Sequence, residues 1–157
     1  MIDVQRPAAI GSDIVAEQQI TDCIVRLFIA TDVRDWTGVR ACLTDRVLFD
    51  MTSVAGGEPA TVFADQIVDG WTKGLAPIQA VHHQAGNFRI SLRGDEADAF
   101  CYGIAIHYRQ TMSGRNTRTF VGSYDFKLVN TGDTWRISAF RFNLKFIDGN
   151  LNLETDG

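Results

Sequence analysis

The sequence predicts an α+β domain in which helices come first and pack on one face of an antiparallel sheet. Three observations support this fold class. Apolar residues recur at helical spacing in the first half of the chain. After Pro77 the chain becomes four strand-like runs separated by short turns rich in Gly, Asp and Asn. Consecutive hairpins indicate an antiparallel meander, and helices followed by a sheet are typical of α+β domains.

The first part of the chain predicts about three helices that wrap the sheet. Residues 1–11 predict a loose arm, after which Ser12 or Asp13 can cap the first helix. Asp35 can cap a short second helix, and Gly74 is expected to end the third. The predicted helices cover residues 14–31, 36–43 and 61–73, with a short strand at 47–51.

The second part predicts four longer strands, and the second of these is apolar on both faces. One face carries Phe100, Tyr102, Ile104, Ile106 and Tyr108, and the other carries mostly small residues and His107. Helices can cover one face, so a second subunit is the simplest cover for the other, which predicts a homodimer or higher homo-oligomer through the sheet. The small residues leave volume for a ligand cavity beside His107. The predicted strands cover residues 80–92, 97–111, 117–129 and 135–147, followed by a frayed polar tail at 148–157.

Length, charge and cysteine content exclude several classes of protein. A chain of 157 residues predicts a single domain, and its net charge of −4 without any basic cluster argues against nucleic-acid binding. No apolar run approaches the roughly 18 residues that span a bilayer, and the N-terminus does not resemble a secretory signal. The three widely spaced cysteines predict buried free thiols, which fits a reducing cytoplasm.

Asp32, His83 and His107 are the residues we expect to carry chemistry. His82 and His83 are neighbours in a predicted strand, so only one of them can face the helices unless a bulge intervenes. A carboxylate that binds one imidazole nitrogen leaves the other nitrogen free to take a proton from a substrate carbon or to protonate a leaving oxygen. Such chemistry requires no metal or organic cofactor. A solvated Asp and a hydrogen-bonded strand His are the ordinary structural alternatives for the same residues.

Other kinds of active site find little support in the sequence. A site of two histidines and one carboxylate for iron or zinc lacks any local ligand spacing such as His-x-x-x-His. Gly56-Gly57 leads to Glu58-Pro59 without the Lys of a phosphate-binding loop. A serine nucleophile would require a Gly-x-Ser-x-Gly elbow, which the sequence does not contain.

Three short motifs, in this order, resemble the SnoaL-like branch of the nuclear transport factor-like, cystatin-like superfamily. Asp32-Val33-Arg34-Asp35-Trp36 is similar to an Asp-x-x-Asp-Trp motif whose first Asp is the catalytic partner. His83-Gln84-Ala85-Gly86-Asn87 resembles the segment that carries the catalytic His, which favours His83 over His82. Ala105-Ile106-His107-Tyr108 resembles the segment with a second pocket His in scytalone dehydratase-type enzymes.

The resemblance implies a cone-shaped, curved antiparallel sheet wrapped by helices around a pocket. It also implies a lyase, dehydratase or isomerase that needs no cofactor and acts on small hydrophobic ring or polyketide-like substrates through an Asp–His dyad. From the resemblance, Thr31, Met51, Ser123 and Lys145 are expected near the substrate. The expected apolar walls are Phe49, Phe63, Trp71 and Phe140.

A non-catalytic function is the alternative within the same fold. Domains of this kind also serve as small-molecule binders or as accessory subunits, like the small subunit of ring-hydroxylating dioxygenases, because a fold does not fix a function. The retained Asp and two histidines favour the enzyme.

Overall fold

A computed structural model describes the backbone of residues 7–157 and the side chains from residue 11 onward. Four helices and six strands follow one another in this region. They are α1 (Pro7–Asp32), α2 (Trp36–Ala41), β1 (Leu43–Asp50), α3 (Thr52–Ala55), β2 (Ala60–Phe63), α4 (Ala64–Leu75), β3 (Ala80–Arg93), β4 (Glu96–Tyr108), β5 (Thr117–Asn130) and β6 (Trp135–Gly149).

The strands form one curved six-stranded sheet in the order β2-β1-β6-β5-β4-β3. Strands β3, β4, β5 and β6 pair antiparallel in consecutive order, as predicted for a meander. Strand β1 instead pairs in parallel with β6, which a meander does not include. Irregular register between Gly86 and Arg89 in β3, and at Val121 and Gly122 in β5, marks bulges of the kind that bend a sheet. The α+β class with N-terminal helices on a curved sheet is confirmed.

The core lies between α1 and the inner face of the sheet. Helix α1 places its buried stripe, which includes Ile20, Ile24 and Leu27, against that face. The strands contribute alternate residues to it, such as Phe126 and Leu128 of β5. This is the packing that period-3.6 and period-2 apolar patterns require when a helix covers a sheet.

The ends of the chain differ from the sequence prediction. Helix α1 already covers Pro7, so residues 7–11 are helical and do not form part of a loose arm. Proline suits the first turn of a helix and the following Ala-Ala-Ile supports it, whereas Gly11 alone does not break it. The predicted arm over residues 1–6 lies outside the described residues. Residues 150–157 are not frayed, because Leu153 is fully buried and contacts Ile78 and Val81.

The region around the third predicted helix also differs. Residues 61–63 belong to strand β2, and the helix α4 that follows extends through Gly74 to Leu75. The one-turn helix α3 at Thr52–Ala55 had no counterpart in the prediction. By contrast, Asp35 caps α2 as predicted, since its Oδ1 accepts a hydrogen bond from the Gly38 N–H at 2.9 Å.

The cysteines are free and buried, as the sequence predicted. Burial and the nearby Asp125 raise the pKa of the Cys101 thiol to about 12, and the hydrogen bond with Cys42, followed by burial, raises the pKa of Cys23. No helix within residues 7–157 is long and apolar enough to cross a membrane.

Candidate active site

The end of helix α1 brings Asp32 to His83 of strand β3. Asp32 Oδ1 lies 2.6 Å from His83 Nδ1, and Asp32 Oδ2 accepts the backbone N–H of His83 at 2.8 Å. The two side chains are only 16% and 15% exposed. One carboxylate therefore fixes both the strand and the ring of the same histidine.

The turn after Asp32 holds this geometry in place. Arg34 adopts a left-handed φ of 59°, and the Asp35 N–H bonds back to the Ala30 carbonyl at 2.8 Å. The Arg34 guanidinium also donates to the carbonyls of Leu75 and Ile78, in the connection between α4 and β3. The end of α1 is thereby tied to the segment that leads into β3, the strand that carries His83.

The contact with Asp32 sets the proton of the His83 ring. Since an ionised carboxylate only accepts hydrogen bonds, His83 Nδ1 must carry the hydrogen, and Nε2 is left with its lone pair. The Phe28 ring, one helical turn before Asp32, stacks on the His83 ring at a centroid distance of 5.2 Å. His82 is exposed on the opposite face, as strand alternation requires.

His83 lies in the wall of a cavity of about 260 Å³ between the helices and the inner face of the sheet. The lining contains no Lys, Arg, Asp or Glu, and its polar side chains are those of Thr31, His83, His107, Trp71 and Tyr124. Its other members are Phe28, Met51, Val54, Gly70, Gly74, Leu75, Ala105, Phe120, Phe140 and Phe142. The cavity is thus an apolar space with few hydrogen-bonding groups.

His107 lines the same cavity from strand β4. The register pairs His83 with Ala105, two residues before His107, so the two histidines are diagonal neighbours on the inner face. His107 Nδ1 lies 3.2 Å from Nη2 of Arg118 on β5, and its ring packs against Phe120 at 5.2 Å. Burial, then the charges of Arg118 and His83, lower the pKa of His107 to about 4.

Four of the eight predicted substrate-contact residues line the cavity: Thr31, Met51, Trp71 and Phe140. The Thr31 hydroxyl donates to the Leu27 carbonyl at 2.8 Å, so towards a ligand it can only accept.

The other four predicted contacts lie elsewhere. Phe49 stacks on Phe140 at 5.4 Å and supports the wall from behind. Phe63 is 56% exposed at the start of α4, beside the Arg46 guanidinium. Ser123 takes a hydrogen bond from Asn143, and Lys145 lies 4.1 Å from the centre of the Tyr102 ring, both on the outer face. Strand alternation and the bulge beside Lys145 turn these two side chains away from the cavity.

Tyr124 is the main cavity residue that sequence reasoning missed. Its hydroxyl has no hydrogen-bond partner within residues 11–157, and its ring crosses Gly103 of the adjacent strand, where a Cβ atom would come within 2.1 Å of it. Burial and nearby Cys101 and Asp32 raise its pKa, so the phenol stays protonated. The sequence signal that could have pointed to Tyr124 was Gly103, which lies between large residues in its strand. A glycine inside a strand often marks a place where another part of the protein approaches the backbone closely.

No group of three or more His, Cys, Asp or Glu side chains within residues 11–157 is arranged to hold a metal ion.

Comparison with known proteins identifies the family to which this chain belongs. A family model described as the SnoaL-like domain matches residues 12–141. The chain belongs to the SnoaL-like family. This confirms the resemblance drawn from the three motifs. None of the curated proteins compared with this SnoaL-like chain matches it.

Solved structures share the fold at low identity. The Kfla4162 protein from Kribbella flavida is 24% identical, with a TM-score of 0.85 over 89% of this chain and 97% of its own. A type 2 hexachlorocyclohexane dehydrochlorinase is 13% identical, with a TM-score of 0.69 over 88% and 89%. The beta subunit of a provisionally assigned aromatic-ring-hydroxylating dioxygenase from Novosphingobium aromaticivorans is 19% identical, with a TM-score of 0.66 over 86% and 92%. At these identities the similarity shows the fold of the SnoaL-like chain alone.

Proposed function

We propose that this SnoaL-like protein is an acid–base enzyme, a lyase of the dehydratase type or an isomerase, that acts on a small hydrophobic ring or polyketide-like compound without a cofactor. The observation that carries the proposal is the 2.6 Å contact between Asp32 and His83 Nδ1 beside the apolar cavity. Neither a cap nor a solvated turn residue needs a half-buried imidazole partner next to a cavity.

In the proposed reaction, His83 is the base. Its Nε2 lone pair takes a proton from a carbon next to a carbonyl, and the Asp32 carboxylate stabilises the resulting imidazolium. The electron pair of the broken C–H bond then either expels a hydroxyl group from the neighbouring carbon, which takes the proton back from His83 and leaves as water, or shifts so that another carbon of the ring system takes that proton. The first outcome is dehydration and the second is isomerisation.

The cavity favours an uncharged substrate. A carboxylate or phosphate there would lose its hydration without meeting a cation, because the lining contains no Lys or Arg. Lys145, the one cation expected near the substrate, lies on the other face of the sheet. Rings with carbonyl or hydroxyl groups match the apolar walls and the few polar groups.

Proton abstraction can be tested before the natural substrate is known. The protein is incubated in D2O with a panel of bicyclic ketones and β-hydroxy ketones, and deuterium entry at the carbon next to the carbonyl is followed by NMR. We expect exchange that falls by about 10²–10⁴-fold in His83→Ala, since that is the usual contribution of a general base. His82→Ala is the matched control, because His82 is the exposed neighbour on the same strand.

Two results would count against the enzyme. Equal exchange in His83→Ala and the unaltered protein would remove His83 as the base. No exchange with any compound, together with tight binding of the same compounds, would favour a non-catalytic binding protein.

An accessory-subunit function is the second candidate, and the outer face of the sheet favours it. Tyr102, Ile104, Tyr108 and Phe146 form an outer patch there, each 39–54% exposed. Ile104, Val121 and Phe146 are paired across three strands, so the patch is continuous. The dioxygenase beta subunit is a similar fold that assembles with another chain. A stoichiometric larger partner in a pull-down from the native host would support this candidate.

For the purified protein, we propose that a second copy of the chain covers the outer patch. Exposed apolar surface that is contiguous across several strands is typical of an interface. In a dimer with a twofold axis, the same patch of each copy faces the other, so the outer patch alone is enough to form the interface.

We also retain the cytoplasm as the proposed location. The buried, protonated thiols of Cys23 and Cys101 suit a reducing compartment.

A further inference from the structure

The C-terminal residues pack beside His107 and present a carboxylate to the site. The Leu153 side chain is fully buried, and the Arg109 guanidinium donates to the carbonyls of Leu153 and Glu154 at 2.9 and 2.5 Å. The backbone of this segment is therefore fixed directly next to Glu154.

Glu154 forms a two-armed ion pair with Arg118 of β5. Arg118 Nη1 lies 2.9 Å from Glu154 Oε2, and Arg118 Nη2 donates to Glu154 Oε1. The Arg118 side chain is 12% exposed, and its Cζ lies over the Phe120 ring, 5.2 Å from the ring centre. Glu154 and Phe120 thus fix the position of the Arg118 guanidinium independently of its contact with His107.

The contact between Arg118 and His107 determines where the imidazole carries its hydrogen. A guanidinium has only donors, so His107 Nδ1, 3.2 Å from Arg118 Nη2, must accept. The ring hydrogen of neutral His107 is then on Nε2. Within residues 11–157 this Nε2 has no hydrogen-bond partner, and the ring lines the cavity.

The two histidines of the cavity therefore present opposite groups to a ligand. Asp32 accepts from Nδ1 of His83 and leaves a lone pair on Nε2. Arg118 donates to Nδ1 of His107 and leaves a hydrogen on Nε2. One ring can receive a proton, and the other can only donate a hydrogen bond.

We propose that Arg118 and Glu154 are positioning residues that hold His107 as the neutral Nε2–H tautomer, which donates a hydrogen bond to a substrate oxygen while His83 removes the proton. The hydrogen bond from His107 to a substrate oxygen rests on the proposed function, whereas the tautomer of His107 does not. That hydrogen bond narrows the substrate class to compounds with a carbonyl oxygen that gains negative charge when the neighbouring C–H bond breaks, because a neutral donor stabilises such an oxygen.

His107 is kept neutral first by burial and then by the balance of the charged groups around it. They are Arg118 on β5, His83 on β3, Glu154 in the C-terminal segment and Asp32 on α1. Burial and the two basic groups outweigh the two acids and lower the pKa of His107 to about 4. His107 therefore remains neutral at any pH at which a nearby imidazole base is useful.

The tautomer can be measured directly in the resting protein. Two-dimensional 1H–15N spectra of protein labelled at the histidine rings distinguish a protonated ring nitrogen from an unprotonated one, and His82→Ala and His107→Asn assign the signals. At neutral pH we expect unprotonated Nδ1 and protonated Nε2 for His107, with the reverse pattern for His83. Protonated Nδ1 on His107 would overturn the proposal.

A double variant tests the cause. Arg118→Met with Glu154→Gln removes both charges together, so no unpaired ion is left. We expect His107 to populate both neutral tautomers, while its pKa rises only slightly from about 4, because burial, the largest cause of the low value, remains. Arg89→Met, at an exposed position of β3, is the control and should leave the signals unchanged.

The outcomes separate this inference from the proposed function. An unchanged His107 tautomer and titration in the double variant would refute the positioning role, whatever the activity. Deuterium exchange lost in His83→Ala but unaffected in the double variant would retain His83 as the base and exclude the hydrogen bond from His107 to the substrate oxygen. If neither the unaltered protein nor any variant catalyses deuterium exchange but the NMR spectra are as expected, the tautomer assignment of His107 stands. Its proposed hydrogen bond to a substrate oxygen during catalysis is then refuted.

Discussion

The two faces of strand β4 differ in size more than in polarity. The outer face carries Tyr102, Ile104 and Tyr108, which are exposed, whereas the inner face carries small residues such as Gly103 and Ala105. Both faces are largely apolar, so hydropathy alone does not tell which one holds the candidate site. Small inner residues leave room for the Tyr124 ring, for the cavity and for His107. In this sheet a site forms where side-chain volume is missing.

The largest effect we expect on the inner face is a loss of stability in mild acid. The pKa of His107 is about 4 in the folded protein and near 6.5 in an unfolded chain, so the unfolded chain binds the proton first. Stability therefore falls as the pH falls from about 6.5 to about 4, by up to about 3 kcal/mol. The hydrogen bond from Arg118 lowers the pKa of Glu154, which adds a further loss that begins near pH 4.5 and continues below it.

Urea unfolding at a series of pH values measures this slope. His107→Asn should flatten the curve between about pH 6.5 and 4, whereas His82→Ala, on the exposed face of β3, should leave it unchanged. Equal slopes in His107→Asn and the unaltered protein would show that another group titrates.

A smaller effect follows from filling the space at Gly103. Its new Cβ in Gly103→Ala would come within 2.1 Å of the Tyr124 ring, which Phe28 and Phe142 hold at centroid distances of 4.9 and 4.8 Å. We expect a loss of about 1–3 kcal/mol in the free energy of unfolding, measured by denaturant titration.

Gly86→Ala is the matched control. It lies on the neighbouring strand β3, and a Cβ there would meet nothing within 4 Å. An equal loss in both variants would mean that backbone freedom, and not the position of Tyr124, makes glycine necessary at residue 103.

The smallest effect on protomer stability is expected from a substitution on the outer face of the sheet. There the quantity to measure is the oligomeric state. Ile104→Asp places a charge in the middle of the outer patch and should convert dimers to monomers in sedimentation velocity experiments. Its effect on the unfolding of the protomer should stay within about 0.5 kcal/mol, since the side chain is 39% exposed. Ser91→Asp, exposed on the same sheet, should leave the mass unchanged. A monomer in the unaltered protein would contradict the proposed dimer.

The sequence was most informative where a short pattern determines a contact by itself. The helix that ends at Asp32 and the alternation at His82 and His83 narrowed the candidates, and the resemblance of the His83 segment to the family motif chose between the two histidines. The hairpin turns gave the four strands of the meander, because Gly and Asp at those turns leave few alternatives. The cap of α2 by Asp35 was likewise predictable from a short local pattern.

Contacts that depend on register or on distant parts of the chain were not predictable in this way. Ser123 was expected at the substrate, but Gly122 and Tyr124 face inward, since a shift of one residue exchanges the faces of a strand. Nothing local in the sequence indicates the parallel pairing of β1 with β6. The packing of Leu153, and with it the Glu154 ion pair, depends on residues more than 30 positions away.

The position of β6 inside the sheet has a consequence for the time course of folding. Strand β6 lies between β1 and β5, so the β1–β2 hairpin and the β3–β5 meander form a single sheet only when β6 inserts between them. The β1–β6 pairing joins Phe49 to Phe140 across a long stretch of sequence, and such pairings bear a large loop-closure cost. A protein with this topology should fold in milliseconds to seconds rather than microseconds. Substitutions in β6 should slow refolding more than equally destabilising ones in α2.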